Sequence, residues 1–347
     1  MALQGTNTQV LFVKRPIGQF NPTETFKIVK TPVPTVESLK EGEFIVRNYW
    51  LSLDPAMRGW MSDSRRSYIR PVEINEVMRG QTVGVVVASK SSKFRAGDKV
   101  QIMGGWQEFT VSNGKGAWKL DVPPGAHLHD FLGIFGGTGM TAYFGLLDIG
   151  KPKAGETVVV SGAAGATGSL VGQIAKIKGT RVIGIAGSKE KCDWLEKELG
   201  FDVALNYRDA DFSKKLAAAT PKYIDVYFDN VGGDILDLCL KRIAQKGRIV
   251  VCGAISQYNE KNPQGPKNYT TLITQRARME GFIVFDYGPR YPEAVRDIAK
   301  WLQEGKIKRR EFVTEGLENA PEGLLRLFKG ENTGKTLVKL VNEKSKL

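Results

Sequence analysis

The apolar and polar positions of this chain change rhythm once. Over residues 1–133 apolar residues come in short runs: QVLFVK (9–14), EFIVRNYWLSL (43–53), TVGVVVAS (82–89) and DKVQIM (98–103). Proline and glycine punctuate them, as in TPVP (31–34) and RAGDK (95–99). Such runs bounded by turn residues predict a β-rich region.

From residue 134 the rhythm becomes strand, then helix. Strand candidates follow at TVVVS (157–161), RVIGIA (181–186), DVALNY (202–207), YIDVYFD (223–229), RIVVCG (248–253) and GFIVFDY (281–287). Between the first two, Leu170, Val171, Ile174 and Ile177 share one helical face, and Gly179 suits the helix end. KEKCDWLEKELG (189–200) repeats the pattern. Strands joined by helical crossovers predict an α/β fold, a doubly wound parallel sheet of the Rossmann kind. The tail, with LLRLF (324–328) and KTLVKLV (335–341), is too short for a third domain. The expected organisation is a domain of 1–133 completed by 310–347, and a dinucleotide-binding domain of 134–309.

Composition narrows the class. With 347 residues, 41% hydrophobic and 25% charged, the chain reads as a soluble globular protein of two domains. No apolar run is long enough to cross a bilayer, and MALQGTNTQ lacks a signal-peptide core. Cys192, Cys239 and Cys252 are too few and scattered for a disulfide framework, which points to an intracellular protein. The net charge of +13 is spread along the chain, KIKRR (306–310) being the one dense run. Without an RNA-binding motif of the RRM type, that charge reads as solvated surface rather than a nucleic-acid footprint. The final residues Ser345-Lys346-Leu347 match the address read by the peroxisomal import receptor, so import is expected if that end is native and exposed, and a cytoplasmic location otherwise.

The candidate chemistry begins at SGAAGATGSLVGQIAK (161–176). Against G-x-G-x-x-G, Ala163 stands at the first position, followed by Gly165 and Gly168. The motif lies between a predicted strand and an amphipathic helix, the context in which backbone amides approach a pyrophosphate. At the end of the next strand, an acid would accept the ribose 2′-OH of NAD and repel a 2′-phosphate. Here the chain reads Ala186-Gly187-Ser188-Lys189-Glu190-Lys191, with no acid at the strand end but a hydroxyl and two lysines. That pattern favours NADP(H).

Metal-assisted alcohol oxidation has no support. A catalytic zinc site needs Cys, His and acid ligands, yet residues 1–150 contain no cysteine, and His127 and His129 are the only histidines. They read as a solvated loop pair, and no metal is expected. No G-x-S-x-G nucleophile motif is present either.

Several motifs together carry a resemblance: LSLDPAMRGWM (51–61), GGTGMTAYFGLL (136–147), SGAAGATGSLVGQIAK, GSKEKCDWLEKELGFDVALNY (187–207), YFDNVGG (227–233), CGAISQYN (252–259), MEGFIVFDY (279–287) and GENTGKTLVKL (330–340). Over nearly its whole length the chain resembles the zinc-independent medium-chain dehydrogenase/reductases. It is most similar to the NADP-dependent alkenal/one double-bond reductases, which include the prostaglandin reductases. The resemblance implies a GroES-like catalytic domain beside the Rossmann domain, with the site in the cleft. It also implies that Gly165, Ala166, Thr167 and Gly168 hold the pyrophosphate, and that Ser188, Lys191 and Tyr207 meet the 2′-phosphate. Asn230, Cys252, Gly253, Ala254, Ile255, Ser256, Tyr258, Phe282, Ile283, Val284 and Asn332 would line the nicotinamide and ribose.

The reaction implied is NADPH-dependent reduction of the C=C bond of an α,β-unsaturated aldehyde or ketone, with hydride delivered to the β-carbon. Charge then develops on the carbonyl oxygen, which needs a donor. Tyr258 is the candidate, since a phenol of pKa about 10 keeps its proton at neutral pH, and the cofactor's ribose hydroxyl would share the task. Where the family reads DPYMR this chain has DPAMR, so Ala56 replaces a tyrosine that borders the pocket. Tyr68, Tyr143 and Tyr287 are candidate pocket aromatics, with core packing as the alternative for each. Trp50 and Trp60 are expected in the core. Quinone reduction and peroxisomal 2-enoyl-thioester reduction stay open, as does a cofactor-linked RNA-binding role whose one support is the positive charge. The resemblance also implies a homodimer joined through sheet edges, with GFIVFDY as the candidate edge strand.

Overall fold

The computed structural model describes residues 5–341, so the Ser345-Lys346-Leu347 tail lies outside the described residues. The described residues form two compact units: 5–132, 311–332 and 336–341 in the first, and 133–310 with 333–335 in the second.

The first unit is built on strands β1 (Thr6–Phe12), β2 (Phe26–Pro32), β3 (Phe44–Ser52), β4 (Thr82–Ser89), β5 (Lys99–Ile102), β6 (Phe109–Ser112) and β7 (Trp118–Lys119). β1 and β2 form an antiparallel pair. β3, β4, β5 and β7 run side by side, and β6 joins β3. The apolar runs read from the sequence fill this unit's interior, with Phe12, Ile45, Leu51, Val86 and Val100 fully buried, and Met57, Met61, Met78 and Trp106 from outside the runs are fully buried with them. Trp50 and Trp60 are buried as expected. Residues of the returning segment, Ala320, Leu324 and Val338, join the same core. Burying each such aliphatic side chain contributes roughly 1.5–3 kcal/mol.

The histidine pair is solvated at one member only. His127 is exposed, but the His129 ring packs 4.8 Å from the Trp50 ring. Its Nε2 lies 4.0 Å from a Glu311 carboxylate oxygen. Glu311 arrives with the returning segment, so local spacing could not show this neighbour.

The second unit holds strands β8 (Thr157–Ser161), β9 (Arg181–Ala186), β10 (Val203–Asn206), β11 (Ile224–Asp229), β12 (Ile243–Val251) and β13 (Arg278–Gly281). Their order in the sheet is β10-β9-β8-β11-β12-β13, every pairing parallel. Strands β14 (Glu311–Glu315) and β15 (Lys335–Lys339) lie in the sheet of β3, with β15 antiparallel to β3. Helices that position the site are α1 (Gly137–Phe144), α2 (Ala166–Ile177), α3 (Lys189–Lys197), α4 (Gly233–Lys241) and α5 (Tyr291–Gln303). Val158–Val160, Val182 and Ile183 are fully buried, as strands covered on both faces require. No helix among the described residues is long and apolar enough to cross a membrane.

Two strand expectations needed correction. GFIVFDY is not a strand: β13 ends at Gly281, and Val284–Arg290 forms a 3-10 turn. Its aromatic residues pack by ring contact instead, with Tyr287 stacked on Phe144 at 4.6 Å. β12 also begins at Ile243 rather than Arg248, because its pairing with β11 skips residues between those two positions.

Candidate active site

Parallel register brings four loops to the carboxyl edge of one sheet. Val160 lies beside Gly184 and Phe228, and Asp229 beside Val251. The loops after β8, β9, β11 and β12 therefore emerge together, and β8 and β11 are neighbours where the strand order reverses. Ligands of open α/β sheets bind at such a point.

The loop after β8 is shaped by backbone. Gly162 turns the chain at φ +58°, and the Gly165 N–H donates to its carbonyl at 2.9 Å. Gly168 must lack a side chain, since a Cβ there would come within 2.4 Å of the Gly162 oxygen. No side chain caps α2, whose first turn is Ala166, Thr167 and Gly168. Three of the predicted residues thus present a helix N-terminus to an anion, which fits a pyrophosphate.

The loop after β9 gathers cations. Ser188 caps α3, its hydroxyl accepting the Lys191 N–H at 3.3 Å. Burial lowers the pKa of Lys191, and the nearby Arg208 guanidinium lowers it further. Arg208 also lies 5.7 Å over the ring of Tyr207, and that ring covers Gly187. Two cations held close at a strand end without an acid suit a dianionic 2′-phosphate. Arg208 escaped the sequence reading, although it directly follows Tyr207. Lys189 does not join them: it is exposed and bonded to Asp193 at 2.7 Å on the helix surface.

The loops after β11 and β12 are locked face to face. The Asn230 side chain donates to the Ser161 carbonyl at 2.7 Å, and its backbone N–H donates to the Ser161 hydroxyl at 3.0 Å. The Cys252 and Gly253 amides donate to the Asp229 carbonyl. Ser256 bonds the Val231 carbonyl twice, from its amide at 3.1 Å and its hydroxyl at 2.6 Å. The Tyr258 hydroxyl folds back over Gly253, where its oxygen accepts the Ala254 N–H at 3.1 Å. Accepting that bond polarises the phenol and strengthens its own O–H as a donor. Burial and then the Asp229 charge push the Cys252 thiol up to about 12. A thiol so held is not a nucleophile at neutral pH.

Residues 8–120 match the family described as N-terminal domain of oxidoreductase, and residues 166–302 that described as zinc-binding dehydrogenase. A putative NADP-dependent oxidoreductase of Bacillus subtilis is 47% identical over 97% of this chain and 99% of its own length. A 2-alkenal reductase (NADP(+)-dependent) of Nicotiana tabacum is 42% identical over 99% of this chain and 100% of its own length. The crystal structure of CurA in complex with NADPH from Vibrio vulnificus matches at a TM-score of 0.90 and 44% identity, covering 96% of this chain and 99% of that one. The chain belongs to the zinc-independent medium-chain reductases.

This reductase is an NADP-dependent oxidoreductase. Its span matched to the zinc-binding description contains no histidine.

Other predicted residues sit elsewhere. Phe282, Ile283 and Val284 follow β13 and are half-buried. Tyr143 is buried on α1, and its hydroxyl donates to Asp297 on α5 at 2.6 Å. With Tyr287 stacked on Phe144, both tyrosines serve helix packing. In the first unit, Ala56 packs against the apolar core, Tyr68 is half-exposed and accepts the Trp60 indole N–H at 3.1 Å, and Asn332 is buried.

Proposed function

We propose that this reductase saturates the C=C bond of α,β-unsaturated aldehydes and ketones. The observation carrying this reading is the Tyr258 hydroxyl, polarised by the Ala254 N–H in the loop after β12. The 2-alkenal reductase relative supports the substrate class, since a 2-alkenal is an unsaturated aldehyde.

Bound NADPH supplies the hydride. The amides of Ala166, Thr167 and Gly168 hold its pyrophosphate, while Lys191, Arg208 and Tyr207 hold the 2′-phosphate. Asn230, the Cys252–Ser256 backbone and Phe282–Val284 line the nicotinamide side. Tyr258 donates its O–H to the substrate carbonyl oxygen as negative charge gathers there, a contact stronger in the transition state than in the ground state, and a proton taken up from solvent at the α-carbon completes the saturation.

The test follows NADPH oxidation with an enal, an enone, a quinone, an enoyl-CoA and a saturated aldehyde, with product identification. Saturated carbonyl products from the enal and enone are expected. Turnover of the saturated aldehyde alone, giving an alcohol, overturns the reading. We further propose a homodimer through β13, the sheet's edge strand, where Met279 is exposed; a monomeric mass by light scattering overturns it.

A further inference from the structure

Asp229 ends β11 and is 1% exposed. One of its carboxyl oxygens, Oδ1, collects four donors. The Tyr227 hydroxyl lies at 2.8 Å and the Ser161 hydroxyl at 3.0 Å, both on the sheet. The Gly232 amide at 2.9 Å and the Val231 amide at 3.0 Å belong to the following loop. A single oxygen thus joins two strands to a loop that no ladder holds.

That loop has an unusual path. Gly232 and Gly233 adopt φ of +69° and +58° in succession. Such backbone keeps its shape only when surrounding groups fix it. Its inner side is tied by the two amides on Asp229. Its outer side is the mould for the Tyr258 turn: the Asn230 carbonyl accepts the Ile255 N–H, and the Val231 carbonyl accepts Ser256. The fit leaves no slack, because a Cβ on Gly232 would come within 3.0 Å of the Ala254 Cβ. Ala254 in turn supplies the N–H that the Tyr258 hydroxyl accepts.

We propose that Asp229 is a positioning residue for Tyr258: its carboxyl oxygen fixes the 230–233 loop, and that loop sets the turn that aims the Tyr258 hydroxyl. The proposal rests on the reading of Tyr258 as the donor to substrate. At 1% exposure Asp229 offers no open face to a ligand, so its effect on Tyr258 runs through the loop. An acceptor is the essential property, since removing it would leave the buried Gly232 amide and the half-buried Val231 amide without their partner.

The experiment compares Asp229→Ala, which loses the acceptor, with Asp229→Asn, which keeps a weaker one. With the enal substrate, kcat is expected to fall about a hundredfold for Ala and about tenfold for Asn, with the NADPH Kd moving less than about threefold. The conservative variant thus partly rescues turnover. In a Tyr258→Phe background, Asp229→Asn should lower kcat by less than about twofold, because its target is already gone. A full tenfold loss in both backgrounds overturns the proposal. A crystal structure of Asp229→Asn gives a reading independent of activity. The Ala254 N to Tyr258 oxygen distance is expected to exceed hydrogen-bond length, and an unmoved hydroxyl overturns the proposal. If Tyr258→Phe alone keeps full turnover, the donor reading fails, while the distance still decides the positioning. Should Asp229→Ala not fold, Tyr227→Phe removes one sheet anchor at nearly constant volume. It should displace the Tyr258 hydroxyl in the same direction with a smaller loss of kcat; an unmoved hydroxyl there also counts against the proposal.

Discussion

Two stretches of the same sheet edge are built by different means. The loop after β8 owes its shape to backbone: a positive-φ glycine, a glycine pressed on a carbonyl, and a helix start without a side-chain cap. The paired loops after β11 and β12 owe theirs to buried side chains, with Asp229, Tyr227 and Ser161 at the centre and Tyr258 at the tip. The first kind of site suits an anion that every dinucleotide shares. The second aims one hydroxyl, and aiming requires groups that resist displacement. Binding and chemistry therefore have separable mutational signatures.

Tyr258→Phe separates them most sharply. It removes the proposed transition-state donor, so kcat should fall on the order of 100-fold, while the NADPH Kd measured by fluorescence titration should stay close to that of the parent. Equal turnover would remove Tyr258 from the mechanism. Gly168→Ala attacks the other side. Its Cβ would meet the Gly162 carbonyl, and relieving that overlap should cost about 1–3 kcal/mol in thermal denaturation and weaken NADPH and NADH alike. Lys191→Ala and Arg208→Ala should each weaken NADPH about tenfold while sparing NADH, because each would delete the proposed charge-assisted contact to the 2′-phosphate. Equal losses for both cofactors would deny the pair that role. The smallest effect is expected from Gly253→Ala, whose Cβ would stand 3.0 Å from the Tyr258 hydroxyl. A loss of about threefold in kcat without change in cofactor affinity would show how little displacement the hydroxyl tolerates.

Much of the backbone-built region could be read directly from the sequence. Continuous apolar runs located β8 and β9 at their observed bounds, and glycine spacing located the anion turn, because both depend on neighbours in sequence. The side-chain-built region was only half legible. Tyr258 and Asn230 were reached through a family resemblance, whereas Asp229 and Ser161, 68 residues apart, meet only after the strands pair. Arg208 lacked a signal because its relation to Lys191 is set by β9 and β10 lying side by side. GFIVFDY misled for the opposite reason. Its apolar content is genuine, but it is spent on aromatic contacts of Phe282 and Tyr287 rather than on a ladder.

The buried carboxyl of Asp229 has a thermodynamic consequence. Burial raises its pKa above the usual carboxylate value even though the amides of Gly232 and Val231 and two hydroxyls pull it down. The folded state then binds this proton more tightly than the unfolded chain does. By linkage, its contribution favours folding below the ordinary aspartate pKa and diminishes as pH rises through the raised value. At neutral pH the reductase thus gives up conformational stability to keep this acid in place. In urea titrations across that pH window, Asp229→Asn should flatten the dependence and be no less stable than the parent at pH 7, although it turns over more slowly. The enzyme's most stable form and its most active form would then differ at one buried side chain.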